Sequence, residues 1–214
     1  MNNIRAVIFD LDGVLVFTDK YHYKAWKNVA DKLGVPFDEN DNNRLRGVSR
    51  SESLDIILEK YTGQPLSDGE KKKLTDEKND IYVSYLKQMT RDDVSRSVRR
   101  VLSDIRERGY KTAVGSSSRN AKLILSMVGL TDAFDAVSDG TNITKSKPDP
   151  EVFLKGAAML NEAPDNCLVV EDARAGILAG NAGGMYTAAI GDAVSCGKAD
   201  YDMFSLSDLL YILR

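Results

Sequence analysis

The chain has 214 residues with 43% hydrophobic composition, enough for one sizeable core or for a core with a smaller inserted domain. Its formal net charge of −3 argues against a surface that binds nucleic acid or an anionic membrane. The sequence shows neither a secretory signal nor an apolar run near the about 18 residues of a membrane span, and its cysteines, Cys167 and Cys196, fit free thiols. We therefore expect a cytoplasmic protein.

The first element in the chain is a predicted strand in the sequence AVIFDLDG. The apolar residues 6–9 are typical of a buried strand, and Gly13 marks the turn that follows. If the strand continues that far, Asp10 and Asp12 project to the same side at its carboxyl end, where open parallel sheets bind ligands. Because like charges repel, we expect a cation near the two aspartates, or a proton on one of them.

Residues 17–90 form the second region, in which the apolar positions follow helical spacing. One predicted helix carries Tyr23, Trp26, Val29, Ala30 and Leu33, and a second carries Leu54, Ile57 and Leu58. A third, mostly charged helix is predicted to start at Ser67, three residues before Glu70. These segments predict an all-helical domain that is inserted after the first strand and could act as a lid over the aspartates.

After residue 91, short β-branched segments alternate with helix-like ones. The predicted strands are KTAVGSS, FDAVSD, CLVVED and YTAAIG. This alternation predicts an α/β fold with a doubly wound parallel sheet, built from residues 1–16 and 91–214. The basic segment SVRRVLSDIRERGYK has apolar residues at helical spacing, which favours an amphipathic helix with a solvated charged face over a functional patch.

Three later segments carry polar residues that suit anion or metal chemistry. Residues 116–118 are serines before a predicted helix, which fits an anion site or a simple N-cap turn. Lys147 precedes Pro148, a natural first-turn residue for the next helix, although a loop lysine is often only solvated. Glu171 and Asp172 end the strand CLVVED, where they could bind a metal or merely favour a helix dipole.

Taken together, these acids, hydroxyls and a lysine suit Mg²⁺ and a phosphoryl group. The four motifs, in this order along the chain, resemble those of the haloacid dehalogenase superfamily of phosphotransferases. The resemblance spans nearly the whole chain. It implies a Rossmann-like core with a helical cap domain and Mg²⁺ as the cofactor.

The resemblance also implies roles for the four acids. Asp10 would be the nucleophile that becomes an aspartyl phosphate, and Asp12 would be the general acid and base. Asp10, the backbone carbonyl of Asp12, and Asp172 would bind the metal, with Glu171 bound directly or through water.

Other residues are implied to hold the transferring phosphoryl group. They are Ser116, the backbone amide of Ser117, and Lys147, which would stabilise the charge that develops on that group. Lys145 is close enough in sequence to take the place of Lys147, although the Ser-Lys-Pro context favours Lys147.

Two segments of the inserted domain, TDKYHYKAW and LRGVSR, are similar to the helical cap of β-phosphoglucomutases. His22, the chain's single histidine, would then bridge the general acid/base or a sugar hydroxyl, and Arg50 would bind the phosphate that is not transferred. A structural histidine and a surface arginine are the alternatives. Further substrate contacts are implied for Trp26, Arg46, Gly47, Val48, Lys78, Ser118, Arg119 and Asn120. Helix packing would explain Trp26 equally well.

The implied reaction interconverts β-glucose 1-phosphate and glucose 6-phosphate through an aspartyl phosphate and β-glucose 1,6-bisphosphate. A sugar-phosphate or phosphoglycolate-like phosphatase with the same core residues is the main alternative. A catalytically inactive binding protein is a second alternative, against which the presence of the nucleophile and the metal acids argues. We expect a monomer whose partner is a small sugar phosphate.

Overall fold

A computed structural model describes residues 3–45 and 48–213 of the chain. The chain divides into two compact units, Met1–Phe17 with Met89–Arg214, and Thr18–Gln88. We call the first the α/β unit and the second the helical unit. Their bounds differ by one and two residues from the sequence-based bounds given above.

The α/β unit is built on one sheet, with six strands in the described residues. They are β1 (Ala6–Phe9), β2 (Lys111–Gly115), β3 (Ala136–Ser138), β4 (Cys167–Glu171), β5 (Tyr186–Ile190) and β6 (Tyr201–Met203). All neighbouring strands are parallel, in the order β3-β2-β1-β4-β5-β6. The strand order therefore reverses at β1, where doubly wound sheets open a ligand-binding crevice. The predicted doubly wound parallel sheet is confirmed.

Strand β1 lies at the centre of this sheet. Phe9 is in register with Val114 of β2 on one side and with Val170 of β4 on the other. All four residues of β1 are fully buried, because helices cover both faces of a parallel sheet of this kind. This position explains why the strand is a continuous apolar run rather than an alternating one.

Helices surround the sheet and make up the second unit. In the helical unit they are α1 (Asp19–Lys32), α2 (Glu39–Asn43), α3 (Arg50–Leu58) and α4 (Asp68–Leu86). In the α/β unit they are α5 (Arg96–Glu107), α6 (Ala121–Met127), α7 (Glu151–Met159), α8 (Arg174–Ala182) and α9 (Leu209–Ile212). Across residues 3–45 and 48–213, none of the helices has both the length and the apolar character that crossing a bilayer requires.

The helical unit has a core of its own. Trp26, Val29, Leu54 and Leu74 belong to one buried cluster, which joins α1, α3 and α4. The three predicted helices are confirmed, including the start of α4, where the Ser67 side chain accepts a hydrogen bond from the backbone N–H of Glu70. Helix α2 escaped prediction because its sequence, ENDNN, carries no apolar spacing.

Two details of the α/β unit differ from the sequence-based expectations. Helix α7 begins at Glu151 with Pro150 at its N-cap, so Pro148 precedes the helix instead of starting it. Strand β6 was not predicted, since it has only three residues and pairs only at the edge of the sheet. The basic segment does form an amphipathic helix, α5, whose buried residues are Val98, Val101, Leu102 and Ile105.

Candidate active site

Asp10 is the first residue after β1, at the reversal of strand order. Its backbone N–H donates to the carbonyl of Val170 on β4 at 2.9 Å, so the β1–β4 ladder continues through this residue. Only 7% of Asp10 is exposed. The sheet therefore fixes a carboxyl group at the site where its topology places ligands.

Asp12 lies in a tight loop rather than on the strand. Strand β1 ends at Phe9, and the backbone N–H groups of Leu15 and Val16 both donate to the carbonyl of Leu11. The strand does not continue to Asp12, so the condition for aligning Asp12 with Asp10 by strand alternation does not hold. This turn, instead of the strand, determines where the Asp12 side chain lies.

Lys147 provides the cation that the sequence analysis expects beside the aspartate. It lies in the loop between β3 and α7, and its side chain is 6% exposed. Its ammonium group donates one hydrogen bond to Asp10 Oδ1 and another, at 2.6 Å, to Glu171 Oε1. Lys145, by contrast, is 71% exposed and pairs with Asp149 at 3.3 Å. Of the two lysines, Lys147 is the one at this cluster of acids.

The loop that carries Lys147 is held by Glu151, the first residue of α7. Glu151 Oε2 accepts from the backbone N–H of Thr144 at 2.9 Å, from the Thr144 hydroxyl at 2.9 Å and from the Lys145 N–H at 2.7 Å. The pairing with Lys155, together with these bonds, lowers the pKa of Glu151 to about 2, so it remains an acceptor at neutral pH. The sequence analysis did not single out Glu151.

Three acids form a cluster in which a metal ion could bind. Oxygen atoms of Asp10, Glu171 and Asp172 all lie within 4.8 Å of one another. Glu171 is the last residue of β4, and its Oε2 accepts from the backbone N–H of Ala173 at 2.8 Å. Asp12 contributes no side-chain oxygen to this cluster. This agrees with its predicted role, in which only the backbone carbonyl of Asp12 would bind the metal.

Two glycines make room for this cluster. A Cβ atom on Gly13 would lie 1.9 Å from Asp172 Oδ2, and one on Gly176 would lie 1.8 Å from Glu171 Oε1. Gly13 also has φ of +89°, a conformation that other residues rarely adopt. The sequence analysis read Gly13 only as a turn and did not consider Gly176, because local patterns do not reveal such approaches.

The cluster carries more negative charge than Lys147 alone compensates. Burial raises the pKa of Asp10 well above its usual range, and the carboxylates of Glu171 and Asp172 raise it further against the opposing effect of Lys147. Burial, Glu171 and Asp12 raise the pKa of Asp172 to about 7. An oxygen-only donor set with excess negative charge fits a hard divalent cation such as Mg²⁺.

The serine loop after β2 packs against the loop after β3. The Ser116 N–H donates to the Ser138 carbonyl at 3.0 Å, and the Gly140 N–H donates to the Ser118 carbonyl at 3.1 Å. Helix α6 starts at Ala121 with Asn120 at its N-cap, so the serines are not its capping residues. The simple N-cap interpretation of these serines is therefore wrong.

The serine side chains differ in their bonding. Ser116 Oγ accepts from the Ser118 N–H at 3.1 Å, and Ser118 Oγ accepts from the Asn120 N–H at 3.2 Å. Ser117 Oγ is buried without a hydrogen-bond partner among the described residues. A buried hydroxyl in this state is costly unless a ligand binds it, which suits an anion such as phosphate. Arg119 is exposed.

The helical unit holds a separate group of predicted site residues. Lys78 Nζ lies 2.8 Å from His22 Nδ1, although the two residues are 56 positions apart in the sequence. Lys78 is only 3% exposed and lies 5.0 Å from the centre of the Trp26 ring. Trp26 is 2% exposed and belongs to the core of the helical unit, so it does pack as a core residue.

Arg50 joins this basic group at the start of α3. Its Nη2 donates to Asn79 Oδ1 at 2.7 Å, a partner that the sequence analysis missed. Burial, Lys78 and Arg50 together lower the pKa of His22 well below its usual range. Two cations and a neutral imidazole thus lie near one another, an arrangement that attracts anions. Val48 is 38% exposed, whereas Arg46 and Gly47 lie outside the described residues.

Comparison with known proteins identifies the family of enzymes to which the chain belongs. Residues 4–184 match the haloacid dehalogenase-like hydrolase family. The chain belongs to this family, and it is an enzyme of the phosphotransferase type found there.

The more specific similarities concern enzymes that act on sugar phosphates. The chain is 40% identical over 212 residues to a β-phosphoglucomutase of Bacillus subtilis, covering 96% of this chain and 92% of that protein. A crystal structure of β-phosphoglucomutase from Clostridium difficile is 38% identical, with a TM-score of 0.88 and coverage of 99% and 100% of the two chains. A phosphorylated carbohydrates phosphatase of Thermotoga maritima is 31% identical over 184 residues, covering 85% and 82%.

Proposed function

We propose that this enzyme is a Mg²⁺-dependent β-phosphoglucomutase, which interconverts β-glucose 1-phosphate and glucose 6-phosphate. The observation that carries this proposal is the buried ion-paired group in which Lys147 bonds both Asp10 and Glu171. It combines a nucleophile with a cation that can offset the charge of an incoming phosphoryl group. The similarity to the two β-phosphoglucomutases supports the choice of substrate.

In the proposed first step, the C6 hydroxyl of β-glucose 1-phosphate attacks the phosphorus of phosphorylated Asp10. A bond forms between phosphorus and O6, the bond between phosphorus and the Asp10 oxygen breaks, and the hydroxyl proton passes to Asp12. In the second step, Asp10 attacks the 1-phosphoryl group of the bisphosphate. The bond between phosphorus and O1 breaks, Asp12 returns the proton to O1, and glucose 6-phosphate leaves.

We assign the metal to Asp10, Glu171, Asp172 and the backbone carbonyl of Asp12. When bound there, Mg²⁺ would lower the repulsion between the Asp10 carboxylate and the phosphoryl oxygens. The raised pKa values of Asp10 and Asp172 support this assignment, because they reflect negative charge that a cation would compensate.

We assign the binding of the transferring phosphoryl group to Ser116, Ser117 and Lys147. The unpartnered Ser117 hydroxyl supports this role, since it can donate to a phosphoryl oxygen. The neighbouring residues Ser118, Arg119 and Asn120 are proposed to contact the sugar from the α/β unit.

The helical unit is proposed to recognise the rest of the substrate. Arg50 would bind the phosphate that is not transferred, and His22 with Lys78 would bind the sugar hydroxyl or the general acid/base. Trp26, Arg46, Gly47 and Val48 would shape the sugar pocket. The basic character of the group formed by His22, Lys78 and Arg50 supports these assignments. Action as a lid, a monomeric state and a cytoplasmic location stay predictions.

A time course tests the proposed reaction. The enzyme receives β-glucose 1-phosphate, Mg²⁺ and a trace of glucose 1,6-bisphosphate, and glucose 6-phosphate and free phosphate are followed together. We expect glucose 6-phosphate to form far ahead of phosphate. Release of phosphate without glucose 6-phosphate would instead establish a phosphatase, the activity that the similarity to the Thermotoga maritima enzyme favours.

A further inference from the structure

Tyr82 lies against two members of the basic group in the helical unit, His22 and Lys78. It lies on α4 and is only 1% exposed, the largest of the almost fully buried side chains in the described residues. Its hydroxyl lies 3.0 Å from Thr18 Oγ1, and its ring centre lies 4.1 Å from that of His22. Lys78 Nζ lies 4.6 Å from the same ring. One buried tyrosine thus contacts two residues of this group, His22 and Lys78, and also Thr18.

The four residues are arranged as two helical pairs. Thr18 and His22 are four apart at the start of α1, where the His22 N–H donates to the Thr18 carbonyl at 3.1 Å. Lys78 and Tyr82 are four apart on α4, so they lie on one face of that helix. The Tyr82 ring therefore packs against the imidazole, its hydroxyl bonds Thr18, and Lys78 bonds the imidazole Nδ1.

The contact with Lys78 also selects the tautomer of His22. An ammonium group only donates hydrogen bonds, so His22 Nδ1 must accept, and the proton of the neutral ring is on Nε2. Among the described residues, Lys78 and Tyr82 of α4 contact the ring, and Arg50 of α3 acts on it electrostatically. With two cations nearby, the neutral ring is the stable form at physiological pH.

Phenylalanine would fill the same volume without a buried hydroxyl, so packing alone does not explain a tyrosine here. We propose that Tyr82 is a positioning residue, which holds the His22 ring against Lys78 and so maintains the orientation and tautomer that favour phosphoryl transfer to sugar over transfer to water. The ring contact orients the imidazole, and the bond to Thr18 prevents the ring of Tyr82 from shifting. The link to transfer rests on the proposed mutase function, whereas the effect on His22 does not.

Two variants separate these contributions. Tyr82→Leu removes the ring contact, and Tyr82→Phe keeps the ring but removes the hydroxyl that bonds Thr18. Tyr85→Leu is the matched control, because Tyr85 lies on the same helix and stacks on Tyr21 of α1, at 5.9 Å between ring centres. Thr18→Val removes the same hydrogen bond by deleting the Thr18 hydroxyl.

His22 gives a readout that does not require substrate. It is the chain's single histidine, so its imidazole NMR signals report tautomer and titration without ambiguity. We expect Tyr82→Leu to mix the tautomers and to move the midpoint of titration upwards, and Tyr85→Leu to change neither. Tyr82→Phe and Thr18→Val should produce the same smaller change, with no addition in the double variant.

The second readout is the ratio of glucose 6-phosphate to free phosphate. Misplacement of a positioned group costs roughly ten- to hundredfold, and we expect Tyr82→Leu to lower this ratio by roughly tenfold. Unchanged His22 signals in both Tyr82 variants would overturn the proposal. Altered signals with an unchanged ratio would overturn its link to transfer. If the wild type releases only phosphate, the mutase function fails, and the NMR measurement still decides whether Tyr82 positions His22.

Discussion

Gly13 and Asp172 lie so close together that neither could occupy its position if Gly13 carried a side chain. A Cβ atom on Gly13 would lie 1.9 Å from Asp172 Oδ2, well inside any allowed contact. The loop after β1 therefore leaves space for the Asp172 side chain only because residue 13 is a glycine. Asp172 is a proposed metal ligand, so a side chain at position 13 would disturb metal binding.

Gly13→Ala should weaken Mg²⁺ binding. The methyl group displaces the Asp172 carboxylate, and loss of a ligand's support typically costs 10–100-fold, so we expect the Mg²⁺ concentration for half-maximal activity to rise by about that factor. Gly184→Ala is the control. Gly184 also has positive φ, +71°, but no atom lies within 4 Å of its would-be Cβ. It should lose roughly 1–2 kcal/mol of stability and retain its Mg²⁺ requirement. Equal Mg²⁺ requirements in Gly13→Ala and Gly184→Ala would contradict the proposed effect of Gly13 on metal binding by Asp172.

Asp10→Asn should abolish turnover and leave the metal-free fold intact. The amide is a poor nucleophile, whereas Lys147 retains its bond to Glu171. Since the folded state raises the pKa of Asp10, ionised Asp10 costs stability at neutral pH, and the neutral amide removes this cost. We expect thermal melting without Mg²⁺ to give an equal or higher Tm. Asp55→Asn, which alters an exposed aspartate paired with Lys71, should stay active. Clear residual turnover in Asp10→Asn would refute the assignment.

Mg²⁺ should stabilise the enzyme more at higher pH. The pKa of Asp172 is about 7 in the fold against 3.8 ordinarily, so between these values the folded state holds a proton that the unfolded state has lost. Unfolding free energy of the metal-free protein therefore falls as pH rises through this window. We expect Mg²⁺ to raise the Tm more at about pH 7.5 than at about pH 5.5, and Asp172→Asn to weaken that difference. An equal Mg²⁺ effect at both pH values would be evidence against this electrostatic account.

Ser117→Ala and Ser116→Ala should differ in their effects on stability. The Ser117 hydroxyl has no partner in the described part of the chain, so its removal should leave the ligand-free Tm unchanged or raise it. Ser116 Oγ accepts from the Ser118 N–H, so its removal should cost about 1 kcal/mol. Both variants should bind inorganic phosphate more weakly in calorimetric titrations. A loss of stability in Ser117→Ala as large as that in Ser116→Ala would mean that its hydroxyl has a structural role.

Arg50→Ala should raise the KM for β-glucose 1,6-bisphosphate with little change in kcat. Loss of a charged hydrogen bond of about 1.5–3 kcal/mol corresponds to roughly tenfold or more in KM. Arg44→Ala is the control, because Arg44 is an exposed arginine of the same unit that pairs with Glu59 at 2.7 Å. Steady-state kinetics on both variants would distinguish them. An unchanged KM in Arg50→Ala would mean that Arg50 serves structure, through its bond to Asn79, and does not bind the phosphate.

Much of the site could be predicted from the sequence because it lies at strand ends. The apolar run of β1 and the run before Glu171 are local signals, and parallel topology brings their carboxyl ends together. The sequence favours Lys147 over Lys145 only through the Ser-Lys-Pro context. These residues are two apart in one loop, and their orientation depends on the bonds from Glu151 to that loop.

The features that escaped prediction depend on contacts between distant segments. Tyr82 and His22 lie on helices far apart in the sequence, and each helix by itself shows only ordinary apolar spacing. The approach of Gly176 to Glu171 depends on how α8 packs against the sheet. Hydrophobic periodicity reports which face of an element is buried, but it does not report which side chain lies opposite.

The most direct test of the central claim is a single turnover of phosphorylated enzyme with β-glucose 1-phosphate in oxygen-18-labelled water. The account predicts that the phosphoryl group of Asp10 appears on O6 of the sugar, with negligible oxygen-18 in free phosphate. Mass spectrometry of the sugar phosphates and of the free phosphate measures both products. If the phosphoryl group instead appears as free phosphate carrying oxygen-18 while the sugar stays unchanged, the enzyme transfers to water, and the mutase assignment is wrong.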